Sequence, residues 1–194
     1  GEICVTGPSV SPGYWGRSDA PREELDTGDV GYIADGELYV VDRIKDLIIV
    51  GGQNYSPSDI ERHVGRIDGL RKGRVVACTR AGSLGTEELC LVCEVSPKVW
   101  RGLDGLESEI EATVKRHFGL STADVGLVAP GSIPKTSSGK IKRRHTKTLY
   151  ERGELPTFRD PLVRTKATAK SLLSQRRALI ATSVKWLSSR MKRV

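Results

Sequence analysis

The sequence predicts an α+β fold in which short β-sheets are flanked by helices. Two local patterns and their order along the chain support this prediction. Asp35-Gly36 separates two runs of alternating apolar residues, which is typical of a tight β-hairpin. Between Leu106 and Phe118, apolar residues recur every four positions and indicate an amphipathic helix. Strand-like and helix-like segments alternate over residues 44–150, so we expect a small α+β domain there.

Residues 1–43 are predicted to form short strands and turns. Strand-like runs occupy Glu2–Thr6, Val30–Ile33 and Glu37–Val41. A loop rich in proline and glycine, Gly7–Gly16, separates the first run from the other two. The last two runs are expected to pair as a hairpin.

The next segment is predicted to be a buried strand followed by a helix. Asp46–Val50 is apolar enough for burial and ends at Gly51-Gly52. Ser56-Pro57-Ser58 offers a hydroxyl cap and a proline in the first turn, both of which favour a helix start. Asp59 and Glu61 lie near the positive end of this helix dipole and strengthen the prediction.

A second unit repeats the alternation of strands and helices. The helix over Leu106–Phe118 is expected to stop at Gly119, because glycine is favoured just after a helix end. The other elements are predicted, in order, as paired strands Arg74–Thr79 and Glu88–Val95, a short strand Val125–Val128 and a closing helix Ile141–Tyr150.

Basic charge is concentrated at the end of the chain. The net charge is +7, but residues 1–160 carry 22 basic and 24 acidic side chains, and the positions after Asp160 carry nine basic and none acidic. This weakens any prediction that the domain as a whole binds nucleic acid. Glu151–Pro161 is predicted to be a linker, and Lys166–Lys192 is compatible with a basic helix. That helix would contact an anionic membrane surface or an acidic partner weakly, or remain a solvated tail.

The cysteines predict a reducing compartment rather than a metal centre. Cys90 and Cys93 form a C-x-x-C pattern, but within a strand residues three apart point to opposite faces. We therefore expect small buried thiols, no metal ligands, and a cytoplasmic location. Neither an apolar run of about 18 residues nor a leading basic-then-apolar signal segment is found in the sequence, so no membrane span is expected.

A glycine- and hydroxyl-rich loop presents Lys140. The stretch Gly131–Arg144 reads GSIPKTSSGKIKRR, and the surrounding Val125–Tyr150 contains no acidic residue. Gly139 allows close backbone approach, and the hydroxyl and lysine donors suit a phosphate or carboxylate. Taken alone, a solvated basic loop is the simpler interpretation.

Three upstream segments carry further function-prone residues. Thr27-Gly28-Asp29 is predicted at a turn into a strand, where a carboxylate can accept hydrogen bonds from a vicinal diol. Asp42–Asp46 (DRIKD) interrupts two apolar strands, and Arg43 offers a planar donor head for oxygen ligands. Gly51-Gly52-Gln53-Asn54 permits a ligand to pass close beside the backbone. Individually, a common turn, a surface ion-pair cluster and a strand-to-helix turn are the simpler interpretations.

The order of these segments carries more information than any one of them. TGD, then DGELYVVDRIKDLIIVGGQNYSPSDIE, then PKTSSGKIKRR resembles the C-terminal portion of the adenylate-forming (ANL) superfamily over roughly residues 1–153. Within it the chain looks most like fatty acyl-AMP ligases and long-chain acyl-CoA synthetases. A Walker phosphate loop is excluded, because Pro134 and Ile141 stand where a glycine and a Ser or Thr are required.

The resemblance implies roles for the matching residues. Asp29 would bind the ribose hydroxyls of ATP or AMP, and Arg43 would support the same nucleotide. Lys140 would be the catalytic residue, bridging the substrate carboxylate and the α-phosphate. A positioned cation there would offset repulsion between two anionic reactants. Mg²⁺ would be held mainly by a large N-terminal domain.

The resemblance also implies a domain organisation. Residues 1–43 would be the terminal β segment of the large domain, 44–153 the small mobile domain, and 154–194 a linker and tail. Lys45 would be the hinge between the domains, and Gly51 and Gly52 would line the acceptor's tunnel. Because the phosphate loop and acyl pocket belong to the large domain, we expect the chain alone to be inactive.

Fatty acid is the implied substrate, and the implied acceptor is either CoA or a phosphopantetheinyl carrier protein. GSIPKTSSGKIKRR and LYERGEL look most like acyl-AMP ligases, whereas VVDRIKD and GGQN are nearer to acyl-CoA synthetases. An alternative from a different functional class is that the chain is a non-catalytic remnant or an interaction module, which keeps the fold but not the reaction. Nucleic-acid binding by the tail has only charge behind it, since Trp186 is its one aromatic residue.

Overall fold

The computed structural model describes residues 1–11, 13, 24–82, 85–97, 103–160 and 163. They fold into three small sheets with three helices, which confirms the predicted α+β class. In chain order the elements are β1 (Glu2–Thr6), β2 (Glu24–Ala34), β3 (Glu37–Arg43), a 3-10 turn (Ile44–Asp46), β4 (Ile48–Val50), β5 (Gln53–Tyr55), α1 (Pro57–Val64), β6 (Leu70–Ala81), β7 (Glu87–Val95), α2 (Leu106–Phe118), β8 (Thr122–Val128) and α3 (Arg143–Glu151).

The first sheet is antiparallel, in the order β1-β2-β3. Its β2–β3 hairpin turns at Asp35 and Gly36, whose φ angles of 51° and 80° are those of a primed turn. The Asp-Gly prediction is therefore confirmed, and so is the first strand. The second strand is longer than predicted, because it begins at Glu24 rather than Val30.

Thr27-Gly28-Asp29 forms a bulge inside β2, not a turn leading into it. Glu2 pairs with Val30 and Cys4 with Asp26, so these three residues stand opposite Ile3 alone. Gly28 takes a φ of 74°, and the Thr27 hydroxyl donates to the Ile3 carbonyl at 2.8 Å. A bulge of this kind bends a strand and redirects its side chains.

The second sheet is the two-stranded hairpin β4–β5. The prediction of a buried strand over Asp46–Val50 is wrong in two respects. Asp46 belongs to the preceding 3-10 turn, and Ile49 is half exposed because strand residues alternate between faces. Ile48 is buried, and α1 begins as predicted, with the Ser56 hydroxyl accepting from the Asp59 amide at 3.2 Å.

The third sheet, β6-β7-β8, forms the centre of the core. β7 pairs antiparallel with β6 and parallel with β8, and α2 provides the connection that a parallel pair requires. Apolar residues are buried on both faces of β7. The larger cluster joins β7 to α1 and α2 through Ile60, Leu91 and Ile110; the smaller one includes Val92 and Leu155.

The segment after α3 packs against the third sheet. Leu155 and Phe158 are buried, and the Phe158 amide donates to the Leu127 carbonyl at 2.8 Å. The expected linker therefore continues the core up to this point. The expected basic helix at 166–192 lies outside the described residues. No helix in the described part of the chain is long and apolar enough to cross a membrane.

Candidate functional site

A basic cleft brings three of the four sequence motifs together. It encloses about 590 Å³ between the first sheet, the 3-10 turn and the start of α3. Half of its lining residues are lysine or arginine, and Asp46 is an acidic member. The residues that line it are Thr27, Gly28, Arg43, Lys45, Asp46, Ile141, Lys142, Arg143, Arg144 and His145. Such a surface favours anionic groups.

Asp29 and Arg43 are cross-strand partners at the edge of this cleft. They pair in the β2–β3 register, and Arg43 Nε lies 3.2 Å from Asp29 Oδ1. The bulge orients this part of β2: the Asp29 amide donates to the Thr27 hydroxyl at 3.1 Å. Both side chains remain solvent-accessible, at 37% for Asp29 and 69% for Arg43. The pair can therefore still accept hydrogen bonds from a diol and donate to oxygen ligands.

Lys45 lies in the 3-10 turn that leaves the first sheet, and its side chain is exposed. Arg144 ties this turn to α3. Its Nη2 donates to the Lys45 carbonyl at 3.3 Å, and its Nε lies 3.4 Å from Asp46 Oδ1. The predicted hinge residue thus lies where two parts of the structure meet through exposed, easily exchanged contacts.

Lys140 projects from a loop that is closed by its own hydrogen bonds. Thr136 is the centre of this closure: its amide donates to the Lys140 carbonyl at 2.8 Å, and its hydroxyl accepts from the Lys140 amide at 3.0 Å. Gly139 has a φ of 85°, which this turn requires. The backbone is therefore held while the Lys140 side chain stays exposed. Lys140 itself is not among the described lining residues, but the next residue, Ile141, is.

A buried carboxylate holds the base of the Lys140 loop. Glu94, fully buried on β7, accepts from the Ile133 amide at 2.9 Å and from Arg71 Nη1 at 2.8 Å. Arg74 lies 3.7 Å from the same carboxylate and donates to the Ile133 carbonyl at 3.2 Å. Sequence reasoning missed this role. Its signal was a single acid inside the apolar run LCLVCEV.

Arg143 connects α3 to α1 and β3. Its guanidinium forms two hydrogen bonds with Glu61, donates to the Ser58 hydroxyl at 2.8 Å, and lies 3.6 Å from Asp42 Oδ1. Asp42 also accepts from the Ser56 hydroxyl at 2.9 Å and from the Ser58 amide at 3.1 Å. Neither Arg143 nor Asp42 was predicted to have a role, although both lie inside the motifs that carry the predicted site residues.

The pKa values of the two carboxyls in this network, Asp42 and Glu61, are shifted in opposite directions. Burial raises the pKa of Asp42, but hydrogen bonds from Ser58 and Ser56 and the charge of Arg143 outweigh it, so its net pKa is lowered. Burial raises the pKa of Glu61 and is only partly opposed by Arg143. The hydrogen bond to Glu61 raises the pKa of Arg143. The Arg143–Glu61 pair is thus favourable, although the burial of Glu61 itself is costly.

Gly51 and Gly52 lie apart from this cleft. They form the two-residue turn of the β4–β5 hairpin, with φ angles of 59° and 76°. Backbone with these angles favours glycine, which accounts for the pair structurally. Neither residue is among the described residues lining the cleft.

No protein-family model matches the chain, but individual proteins do. FadD28 from Mycobacterium tuberculosis, named a long-chain-fatty-acid–AMP ligase, is 36% identical over 166 residues, covering 74% of this chain and 28% of FadD28. FadD25 from the same organism, classed by its name among fatty-acid–CoA ligases, is 37% identical over 177 residues, covering 79% of this chain and 30% of FadD25. The chain thus spans less than a third of these curated relatives.

The fold leads to the same group of proteins. A solved structure from the fatty acyl-adenylate ligases of E. coli and L. pneumophila is 37% identical, with a TM-score of 0.62. The match covers 79% of this chain and 28% of that one. With the ordered motifs around the cleft, these matches identify the chain as a C-terminal portion of the adenylate-forming (ANL) superfamily, among relatives named fatty acyl-AMP and fatty acyl-CoA ligases.

Proposed function

We propose that the chain is the C-terminal part of a fatty-acid adenylating ligase. The whole enzyme would activate a fatty acid with ATP, releasing pyrophosphate and forming an acyl-AMP for transfer to a thiol acceptor. The observation that carries this proposal is the cationic cleft, where Thr27, Arg43 and Lys142 come together from separate motifs. The names of the relatives FadD28 and FadD25 support the substrate class.

The proposed chemistry follows from the charges in the cleft. Asp29 would accept hydrogen bonds from the ribose hydroxyls of ATP, while Arg43, its ion-pair partner, would bind oxygen atoms of the same nucleotide. Lys140 would approach the attacking carboxylate and the α-phosphate. Both groups are anionic, so a cation between them stabilises the charge that develops in the transition state. Mg²⁺ would neutralise the remaining phosphate charge.

Two further roles are proposed, one for Lys45 and one for the Gly51-Gly52 turn. Lys45 would be the hinge about which residues 44–153 turn relative to the large domain, since the turn containing it is held by exposed contacts to Arg144. Gly51 and Gly52 would line the acceptor's route after that rotation. The absence of side chains at a hairpin tip leaves room for a narrow thiol-bearing arm.

The rest of such an enzyme would also cover the first sheet. Its large apolar side chains are strongly exposed, which is unusual for a stable surface. The exposed set includes Tyr32, Ile33, Leu38, Tyr39 and Val40. Tyr32 and Tyr39 stack with ring centroids 5.2 Å apart. These side chains alternate between the two faces of the sheet, and we propose that the large N-terminal domain packs against this sheet.

A fatty acyl-CoA synthetase is the second candidate. The small Gly51-Gly52 turn favours it, because a bulkier residue there would narrow the acceptor's route. Given a fatty acid and ATP, an acyl-AMP ligase would deliver the acyl group to a phosphopantetheinyl carrier protein, whereas the synthetase would use free CoA. Rapid thioester formation with free CoA would reject the acyl-AMP ligase assignment.

The test measures fatty-acid-dependent exchange of radiolabelled pyrophosphate into ATP. The protein is the product of the whole reading frame that contains these residues, and the 194-residue chain is assayed beside it. We expect exchange from the whole product and none from the chain alone. Absence of exchange from a folded whole product, with a range of fatty-acid chain lengths, would refute the proposal. Exchange by the 194-residue chain alone would refute the proposal that this chain carries only half of the active site.

A further inference from the structure

Two thiols face each other across the third sheet. Cys78 on β6 and Cys90 on β7 are direct partners in the antiparallel register. Directly opposed residues in such a pair have Cα atoms about 4.5–5.5 Å apart. A disulfide requires Cα atoms about 4.4–6.8 Å apart, so the strands already satisfy this requirement.

This pair is different from the C-x-x-C pattern of the sequence. Cys93 lies on the other face of β7, fully buried in the larger apolar cluster, where burial raises the pKa of its thiol. The predicted opposition of Cys90 and Cys93 is therefore confirmed. Cys4 lies on the first sheet, where its thiol donates to Asp26 Oδ1 at 3.3 Å. All four cysteines are free thiols.

Cavities give small molecules access to the pair. Cys78 and Cys90 both line a cavity of about 390 Å³, together with Arg80 and Tyr150. Cys78 is partly exposed and also lines a neighbouring cavity of about 350 Å³ that reaches Lys45. A water-sized reagent in the larger cavity therefore lies beside both residues, although Cys90 itself is only 3% exposed.

The surroundings make the two thiols unequal. The adjacent Cys78 thiol lowers the pKa of Cys90, and Arg80 contributes in the same direction, although burial and Asp124 oppose it. The adjacent Cys90 thiol and burial raise the pKa of Cys78. Cys90 is thus the better nucleophile, since the thiolate is the reactive form, and Cys78 retains its proton.

We propose that Cys78 and Cys90 form an oxidation site, at which a hydroperoxide converts the two thiols to a reversible cross-strand disulfide. With hydrogen peroxide, Cys90 sulfur attacks one peroxide oxygen, the O–O bond breaks, and the sulfenic acid and one water form. Cys78 sulfur then attacks the sulfenic sulfur, and the displaced hydroxide takes the Cys78 proton and leaves as water. Two thiols are oxidised, and one peroxide is reduced to two waters.

The bond is expected to be easily reduced. Opposed Cβ atoms in a sheet are about 4.5–5.5 Å apart, whereas a disulfide holds them at about 3.5–4.5 Å. Closing the bond therefore draws β6 and β7 together locally. Strained disulfides have higher reduction potentials and are the labile ones.

The experiment treats the full 194-residue chain with increasing hydrogen peroxide, blocks remaining thiols with iodoacetamide, and maps tryptic peptides by mass spectrometry. Cleavage after Arg74, Arg80 and Lys98 places Cys78 in VVACTR and Cys90 with Cys93 in AGSLGTEELCLVCEVSPK. We expect these peptides to become linked, with two hydrogen atoms lost, before exposed Cys4 is half oxidised. Fragmentation between Cys90 and Cys93 identifies the linked sulfur, and dithiothreitol should restore both thiols.

Substitutions separate this site from general thiol oxidation. Cys90→Ala should abolish the linked peptide, and Cys93→Ala and Cys4→Ser should retain it. Cys78→Ala, at a partly exposed position, should leave a sulfenic acid on Cys90 that dimedone traps once the protein is unfolded. A link from Cys78 to Cys93, links only between chains, or full alkylation of Cys78 and Cys90 once Cys4 is half oxidised would each overturn the proposal. If a variant fails to fold, the tryptic peptide map of the oxidised wild-type chain tests the proposal by itself.

Discussion

Arg143 donates two parallel hydrogen bonds to Glu61, from Nε to Oε1 at 2.7 Å and from Nη2 to Oε2 at 2.9 Å. The partners lie 82 residues apart, on α3 and α1. Arg143 follows Lys140 by three residues, so this pair fixes the end of the loop that presents the lysine. A planar guanidinium is required for the parallel geometry, which an ammonium group cannot reproduce.

Replacing Arg143 by lysine should therefore destabilise the protein although the charge is kept. We expect Arg143→Lys to lower the free energy of unfolding by about 1.5–3 kcal/mol, the contribution of one hydrogen bond to a charged group. Arg62→Lys is the matched control. Arg62 and Asp59 form an exposed pair within α1, so a change below about 1 kcal/mol is expected. Equal changes in urea unfolding for both variants would contradict the importance of the paired geometry.

Glu94 should control the order of the Lys140 loop. Glu94→Gln removes the charge that faces Arg71 and Arg74, so we expect a loss of about 3 kcal/mol in unfolding free energy. The Ile133 amide, which donates to this side chain, should exchange its hydrogen faster when followed by NMR. Glu88→Gln, in an exposed pair with Arg80, should change stability by less than about 1 kcal/mol. Unaltered exchange at Ile133 would show that the loop is held by other contacts.

Gly126 leaves space for an aromatic ring. A Cβ atom added there would collide with the ring of Tyr150, which also donates from its hydroxyl to Asp124 at 2.7 Å. Gly126→Ala should therefore lower the unfolding free energy by about 1–3 kcal/mol, the usual cost of overpacking. Because the collision needs the ring, Tyr150→Leu should cost less in the Gly126→Ala protein than in the wild type. Additive effects in this double-mutant cycle would contradict the proposed collision.

Acid should weaken the network around Asp42. Its folded pKa is lowered below the ordinary 3.8, so its stabilising contribution is present above that value and is lost as the pH falls through the folded value. Asp42→Asn should flatten the dependence of unfolding free energy on pH below the ordinary carboxyl value of 3.8. Asp35→Asn, at the exposed hairpin turn, is the matched control substitution. An unchanged slope in Asp42→Asn would exclude this carboxyl as a source of acid sensitivity.

The proposed adenylation chemistry requires one lysine of the loop and not its neighbour. Lys140→Ala should reduce the rate of acyl-AMP formation by the whole ligase about 10²–10³-fold, the typical effect of removing a group that stabilises a developing charge. Both Lys140 and Lys135 are exposed, so neither alanine variant should change the melting temperature measurably. Lys135→Ala should retain near wild-type rates. Equal activity of the two variants would refute the proposed role of Lys140.

Local sequence patterns predicted the elements best where a single residue type determines the backbone. The Asp35-Gly36 hairpin, the serine cap of α1 and the helix ending before Gly119 all follow from local conformational preference. The extent of β2 was underestimated, because Glu24–Asp29 is polar and its strand conformation depends on pairing with β1. Long-range pairing of this kind has no local signal.

The candidate site was predicted by motif order, whereas its supporting contacts were not. The sequence predicted functional roles for Arg43 and Lys45, and the structure brings both to one cleft. The ion pairs of Arg143 with Glu61 and of Arg71 with Glu94 join residues distant in the chain, so only the folded structure shows them. The opposition of Cys78 and Cys90 likewise depends on strand register, which residue spacing does not determine.

The β2 bulge makes the length of the segment 27–29 as important as its composition. Three residues of β2 stand against Ile3 alone, so deleting one would shift every preceding residue of that strand by one position against β1. Because strand faces alternate, a one-residue shift would exchange the inner and outer sets of side chains. Chimeric proteins joined through this sheet should therefore keep their crossover point outside residues 24–34. Substitution within the bulge is the gentler change except at Gly28, whose φ of 74° would strain any other residue.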